Sequence, residues 1–310
     1  MAKSKVTIVG AGNVGATTAF IAAQKQIADI VLLDIVEGLA EGKALDIAEA
    51  APVELYNPNI IGTRDWEATA QSDIVIITSG LARKPGMSRD DLLAKNVQIV
   101  KSVSEKAAEY SPASIIIVVC NPLDAMVYTA AKVTGFDKNR IMGMAGALDS
   151  ARFTYFLASE LNMSVDDIKC VLMGGHGDDM VPLPRLTSVG GIPLSDLLED
   201  TKINELIDRT RNGGIEIVNF LGHSAFYAPA AGTVKMARAI LEDRKTVISC
   251  CAYCDNEYNA GGFFVGVPAV LGAKGVERII ELNLSEKELA QFEKSLGHVK
   301  QLARKVDELL

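Results

Sequence analysis

A single histidine, His176, stands between glycines in the stretch VLMGGHGDDMVP, residues 171–182, directly after a short apolar run. Glycine on both sides leaves the ring open to a ligand and lets backbone approach closely. The chain has only 3 histidines, and imidazole is the side chain that titrates unaided near neutral pH. His176 is therefore the first candidate for moving a proton. The alternative reading of this stretch is a turn histidine at a strand end, and the rest of the chain decides between the two.

Other residue types that could share a site recur along the chain. Asp149 and Arg152 lie three residues apart and so share one face of a helix that runs from Ala147 to about Leu161; an ordinary surface ion pair is the plainer reading. The segment SGLARKPGMSRDDL, residues 79–92, carries Arg83, Lys84 and Arg89. Gly80, Pro85 and Gly86 mark it as a loop that can hinge. A solvated basic loop is the alternative, but it explains less well why the charges follow the strand Ile74–Thr78, at the end where parallel sheets bind ligands. Asn121, before Pro122, ends another strand, Ile115–Val119. There its amide can hold a ribose or substrate oxygen, or it is simply a turn former.

The elements that would position these residues begin at Lys5. VTIVG, AGNVG and ATTAFIAAQKQ read as strand, glycine turn and helix. Gly10-x-Gly12-x-x-Gly15 is the dinucleotide fingerprint in its proper context. The first glycine permits the turn, the second lets backbone approach a pyrophosphate, and the third lets helix and strand pack closely. A second apolar run, Ile30–Leu33, ends in Asp34. An acidic side chain there accepts from both ribose hydroxyls and repels a 2′-phosphate, which favours NAD over NADP. A helix from Glu37 to about Ala50, a weak strand near Ile60 and a helix from about Asp90 to Tyr110 continue the alternation to about Met144. The expected fold is α/β: a Rossmann doubly wound parallel sheet over residues 1–145, then an α+β substrate part over 146–310. That second part is expected to hold helices near Lys202–Leu221 and Pro229–Glu242, a strand Thr246–Tyr253, and an apolar hairpin around Gly261–Leu271. A last helix, Ser285–Leu309, opens on a capping-box pattern and carries His298, read as a surface residue. No linker separates the two parts, so they are expected to pack tightly.

Composition bounds the function. Apolar residues make up 49% and charged residues 23% of 310 residues, as in ordinary soluble globular proteins. No apolar run approaches the ~18 residues of a membrane helix. A net charge of −8 without any lysine/arginine tract argues against nucleic acid as a partner. The basic start MAKSK and the run after it resemble a signal peptide only superficially, because Gly10, Gly12 and Gly15 interrupt it; the cytoplasm is the expected location. Cys251 and Cys254 form a CxxC inside the strand-like run TVISCCAYC, with no second pair or histidine at metal spacing. These cysteines, with Cys120, Cys170 and Cys250, read as small buried residues of a reducing compartment, and no metal is expected.

At this point the residues match a known family nearly end to end. The chain resembles the lactate/malate dehydrogenase superfamily, and within it is similar to the malate dehydrogenases that are lactate-dehydrogenase-like in sequence. The motifs that carry the resemblance are GAGNVG (10–15), Asp34, LARKPGMSRDDL (81–92), CNPLD (120–124), GALDSARF (146–153), GGHGDDMVP (174–182) and SAFYAPA (224–230). The resemblance implies NAD-dependent oxidation of L-malate to oxaloacetate, a place in the tricarboxylic acid cycle, and a homotetramer or dimer. His176 would be the acid/base, oriented by Asp149. Arg152 would bind the carboxylate beside the reacting carbon. Arg89 would polarise the carbonyl from a mobile loop, and Asn121 would help position substrate and cofactor. Arg83 occupies the residue that chooses the substrate, arginine being the malate/oxaloacetate signature where lactate dehydrogenases have glutamine. Gly10, Gly12, Asn13, Val14, Gly15, Asp34, Thr78, Gly80, Asn96, Val119 and Asn121 would line the cofactor. One departure is His223, where the family usually has glycine.

The residue types suit that reaction. A neutral imidazole near its working pKa can take a hydroxyl proton, and a planar guanidinium matches a carboxylate in bidentate geometry. A C4 diacid needs two such arginines, and Arg83 with Arg152 supplies them. An L-lactate or other 2-hydroxy acid dehydrogenase would differ at position 83 alone. A non-catalytic NAD-sensing protein would need none of Arg89, Asp149, Arg152 and His176.

Overall fold

The computed structural model describes residues 4–81 and 88–310. Strand β1 (Lys5–Val9) leads into helix α1 (Asn13–Gln24), then β2 (Asp29–Leu33), α2 (Leu39–Glu54) and β3 (Ile60–Thr63). After β4 (Ile74–Ile77) come α3 (Arg89–Tyr110), β5 (Ile115–Val118), α4 (Leu123–Thr134) and β6 (Ile141–Gly143). These six strands pair in parallel in the order β3-β2-β1-β4-β5-β6. That is the doubly wound order, with its reversal between β1 and β4. The sequence of β4, IVII, and of β5, IIIV, is buried at every position, as it must be in strands covered by helices on both faces. Cores lie on both sides of this sheet, and a third core forms around Phe153, Leu172 and Leu206.

The second half begins with α5 (Gly146–Leu161), followed by the short strands β7 (Ile168–Lys169), β8 (Leu172–Gly174), β9 (Met180–Pro182), β10 (Ser188–Val189) and β11 (Ile192–Pro193). Helices α6 (Asp200–Leu221) and α7 (Tyr227–Leu241) precede β12 (Thr246–Cys254), β13 (Phe263–Gly272), β14 (Gly275–Ile279) and α8 (Glu286–Leu309). The two halves share one sheet. β12 joins β6 antiparallel at Cys251 and Gly143, and β13, β8 and β9 extend the sheet beyond it. The expected hairpin near residues 261–271 is instead the central strand of a meander, with β12 on one side and β14 on the other. β14 escaped the pattern reading because GVERI is an edge strand only half buried.

Element bounds differ from expectation where local signals mislead. Helix α2 continues to Glu54, four residues past the expected Ala50 and through Pro52, before Leu55 turns left-handed. His298 is half buried rather than free on the surface, its Nδ1 lying 2.6 Å from Asp179 Oδ1. The CxxC pair is split by strand alternation: Cys250 and Cys254 face one core and Cys251 the other. All five cysteines are free thiols. Burial pushes the Cys250 and Cys254 thiols up to about 12, so they stay protonated and inert. No helix among the described residues is long and apolar enough to cross a membrane.

Helix α5 is the element most tightly seated at the junction. A Cβ on Gly146, its first residue, would stand 2.7 Å from Ser249 Cβ of β12, so only glycine lets the helix start this close to the sheet. Phe153, one turn past Asp149, is fully buried. Phe153→Ala is expected to lower stability by about 3–5 kcal/mol through the cavity it leaves, measured by urea unfolding. A loss below about 1 kcal/mol would show that α5 is held by something else.

Candidate active site

The C-terminal ends of the parallel strands bring the cofactor candidates together. Gly10 turns the chain off β1 at φ +105°. A Cβ on Gly15 would lie 1.7 Å from the Gly10 carbonyl and 2.8 Å from Thr78 Oγ1. Thr78 Oγ1 donates to the carbonyls of Val9 and Gly10, both at 3.0 Å, tying β4 to the turn. Gly10 and Gly15 are thus required by the protein's own packing. Gly12 is not: a Cβ there would meet nothing within 4 Å. The turn is open on this side, with room for a pyrophosphate to approach. Helix α1 begins at this point with no side-chain cap and no acidic residue in its first turn. The N–H groups of Asn13, Val14 and Gly15 are left to an anion, which the helix dipole also favours.

Asp34 sits at the end of β2, its carboxylate accepting from Ala11 N at 2.6 Å and Val36 N at 2.9 Å. Two backbone donors fix its direction and leave lone pairs for ribose hydroxyls. Asn96 behaves otherwise. Expected among the cofactor contacts, it is fully buried in α3 and spends its amide on the chain. Its Nδ2 donates to the carbonyls of Leu81 at 3.1 Å and Asn121 at 2.6 Å, while Oδ1 accepts from Leu81 N at 2.8 Å. It holds the ends of two loops, and so positions Gly80 and the exposed Asn121. Val119 continues β5 by donating to the Ile77 carbonyl at 2.9 Å. These residues fit a dinucleotide: a backbone cradle open at Gly12, a helix N-terminus without a side-chain cap, and a carboxylate at the end of the neighbouring strand that is hydrogen-bonded to Ala11 of the turn.

In the second half, Asp149, Arg152 and His176 meet. His176 Nδ1 lies 2.9 Å from Asp149 Oδ2, and Arg152 Nη1 lies 3.6 Å from Asp149 Oδ1. This carboxylate therefore serves two partners, one residue apart from solvent on every side: Asp149 is buried. The histidine's main chain is held as well, its N–H donating to Asp124 Oδ2 at 3.0 Å. Burial alone would hold the His176 imidazole below its usual range. The Asp149 charge and hydrogen bond outweigh burial, Asp124 adds to them, Arg152 opposes, and the pKa ends above the ordinary histidine value. With Nδ1 engaged by a carboxylate, the second ring nitrogen is the one free to exchange a proton.

Arg152 shows what the site lacks. Its Nε is buried without a hydrogen-bond partner among the described residues, and burial lowers its pKa despite Asp149. A guanidinium in that state is completed by a carboxylate placed on its fork. Room for it comes from α6. A Cβ on Gly213 would stand 3.2 Å from Arg152 Cδ, and one on Gly214 would stand 3.7 Å from Arg152 Nη2. The signal in the sequence was a Gly-Gly pair inside an otherwise amphipathic helix.

The remaining candidates are not gathered at that cluster. Arg89 is the first residue of α3, set there by the capping box of Ser88 and Asp91. Its side chain is 82% exposed and 3.7 Å from Asp178 Oδ2, two residues past His176. Arg83 lies outside the described residues. His223 is exposed beyond α6, with Nδ1 3.0 Å from the Ser224 carbonyl and its ring beside Phe226. Missed by sequence reasoning were Asp124 and Ser295. The Ser295 hydroxyl accepts from Gly175 N at 2.8 Å and donates to the Asp179 carbonyl at 2.7 Å, pinning the histidine loop to α8.

Comparison with known proteins agrees with this geometry. Residues 4–143 match the family described as lactate/malate dehydrogenase, NAD binding domain, and residues 146–309 match lactate/malate dehydrogenase, alpha/beta C-terminal domain. Malate dehydrogenase of Rhodopirellula baltica is 54% identical over 313 residues, covering 100% of this chain and 99% of that protein. The structure of malate dehydrogenase from Salinibacter ruber superposes with a TM-score of 0.95 at 50% identity, covering 98% of each chain. The lactate dehydrogenase of Cryptosporidium parvum, solved with lactic acid and nicotinamide adenine dinucleotide, gives 0.96 at 39% identity over 99% of each chain. Fold likeness therefore spans both activities, while the higher identities fall to malate dehydrogenases. On matches that run the length of the chain, it belongs to the lactate/malate dehydrogenase family.

Proposed function

We infer that the chain catalyses the NAD-dependent interconversion of L-malate and oxaloacetate. The observation that carries this reading is the buried cluster of His176, Asp149 and Arg152, in a chain whose glycine turn stays open at Gly12. NAD, when bound, supplies the hydride acceptor. Gly10, Gly12, Asn13, Val14 and Gly15 hold its phosphates, Asp34 its adenosine ribose, and Thr78, Gly80, Val119 and Asn121 the rim of its site. Asn96 keeps that rim in place. Residues 1–145 serve the cofactor and 146–310 the substrate.

In malate oxidation, neutral His176 takes the hydroxyl proton while Asp149 fixes the tautomer and stabilises the imidazolium that forms. In the reverse direction the imidazolium returns that proton. Arg152 holds the carboxylate next to the reacting carbon, and Arg89 places a positive charge beside the carbonyl oxygen. Arg83 takes the second carboxylate. Pyruvate offers it no partner, and a buried guanidinium left alone costs roughly 3–5 kcal/mol. Closure over the substrate excludes water and strengthens each of these contacts.

For the wider setting we propose a cytoplasmic enzyme of the tricarboxylic acid cycle that self-associates as a homotetramer. Support for self-association comes from large apolar side chains at the surface of two helices. Val53 and Leu55 at the end of α2 are 80% and 86% exposed, and Phe220 in α6 is 81% exposed. Exposed side chains this large and apolar are the surface that a second copy of the chain would cover.

Three measurements check this reading. NADH oxidation by wild type is expected with oxaloacetate and at least about 10²-fold more weakly with pyruvate, and Arg83→Gln should shift the preference toward pyruvate; equal kcat/KM in wild type overturns the assignment. His176 must be neutral to accept a proton, and its pKa is raised. Malate oxidation should therefore rise with pH through an inflection above the usual histidine range, while oxaloacetate reduction falls through it. Asp149→Asn should move that inflection to lower pH and lower kcat by on the order of 10²-fold or more; an unmoved inflection rules out Asp149 as the cause. Light scattering should give a mass near four chains, and a mass near one chain rejects self-association.

A further inference from the structure

Against the main chain of His176 lies a second carboxyl that the mechanism above does not use. Asp124 stands in the first turn of α4, directly after Asn121-Pro122-Leu123. It is 6% exposed. Its Oδ2 accepts the His176 main-chain N–H at 3.0 Å, and a Cβ on neighbouring Gly175 would approach that same oxygen to 3.3 Å. Its Oδ1 is buried with no hydrogen-bond partner among the described residues.

The surroundings favour one protonation state. A protonated carboxyl needs an acceptor for its O–H, and the groups seen against Asp124 are donors: the His176 N–H and the Cys251 thiol of β12. The N-terminal turn of α4 adds its positive end. Burial and the nearby Asp149 push the other way. Its pKa ends above the ordinary aspartate value, burial being the largest cause, yet the donors and the helix N-terminus offer an O–H no acceptor.

We propose that Asp124 is a positioning residue of this enzyme: an ionised carboxylate that fixes the His176 main chain and sets a second negative charge near the imidazole. This rests on His176 being the acid/base, and it adds to Asp149 what one carboxylate does not supply. Asp149 divides its charge between His176 and Arg152. Asp124 makes no ion pair with an arginine or lysine among the described residues, so its field falls on the histidine. The other charged groups around that loop are Asp178 facing Arg89 of α3, and Asp179 facing His298 of α8. The first pair is exposed and the second half exposed, so solvent screens both. Asp124 is buried.

Asp124→Asn tests this, because the amide oxygen still accepts the His176 N–H while the charge is gone. The inflections of malate oxidation and of oxaloacetate reduction should both move to lower pH. Oxaloacetate reduction above the inflection should fall on the order of threefold or more, with KM for NADH unchanged. Profiles that coincide with wild type overturn the proposal and leave Asp124 a neutral structural acceptor. With only 3 histidines in the chain, the imidazole of His176 can also be titrated by NMR without turnover, so an inactive wild type would sink the functional reading and still leave this one measurable. Should Asp124→Asn not fold, 13C NMR of labelled aspartate in wild type, assigned with Asp124→Glu, decides: a carboxylate from pH 6 to 9 supports the proposal, and a carboxylic acid over that range overturns it.

Discussion

The contact on which the site depends is the 2.9 Å hydrogen bond between His176 Nδ1 and Asp149 Oδ2. It joins a loop between two short strands to a helix that starts at the end of the parallel sheet. Each partner alone would be poorly placed. A buried carboxylate without a partner would take up a proton, and a buried imidazole would lose one. Together they hold a charge distribution that can accept or release a proton near neutral pH. Arg152 extends the pair, since Asp149 also faces its guanidinium at 3.6 Å.

Much of the remaining structure keeps those two atoms at that distance. Gly146 lets α5 start hard against β12, and Phe153 anchors it in the core below. Asp124 of α4 and Ser295 of α8 hold the main chain on either side of the histidine. The loop is therefore gripped by three helices distant in sequence, though its own residues are mostly glycine and acidic. Flexibility in composition and rigidity in place are compatible because the ties come from outside the loop. In the first half the glycine turn is fixed by Thr78 and left open only at Gly12.

The single sheet that spans both halves gives this arrangement its economy of motion. β6 and β12 join at one register position, Gly143 with Cys251. The candidate cofactor residues line the ends of the parallel strands, whereas the candidate proton and carboxylate residues sit on α5 and the histidine loop. Arg89 is the exception. It stands exposed at the head of α3, against Asp178 rather than against the cluster, where substrate can draw it in.

The amino-acid sequence by itself determined whatever is local. The buried strands β1, β2, β4 and β5 are unbroken apolar runs, because a parallel strand covered on both faces has no polar side. Gly10, Gly12 and Gly15 announce the turn, and Ser285 with Glu288 the start of α8, since each acts on neighbours within a few residues. His176, Asp149 and Arg152 were legible as candidates through residue type and spacing. That Asp149 and His176 touch was decided only in three dimensions, as were the carboxyl of Asp124 against the histidine main chain, the hydroxyl of Ser295 across its loop and the room that Gly213 makes for Arg152. Such contacts join residues tens to hundreds of positions apart, and no periodicity records them. Asn96 marks the boundary: its place near the cofactor rim was readable, but that its amide is spent on two loop carbonyls depends on backbone brought to it by the fold.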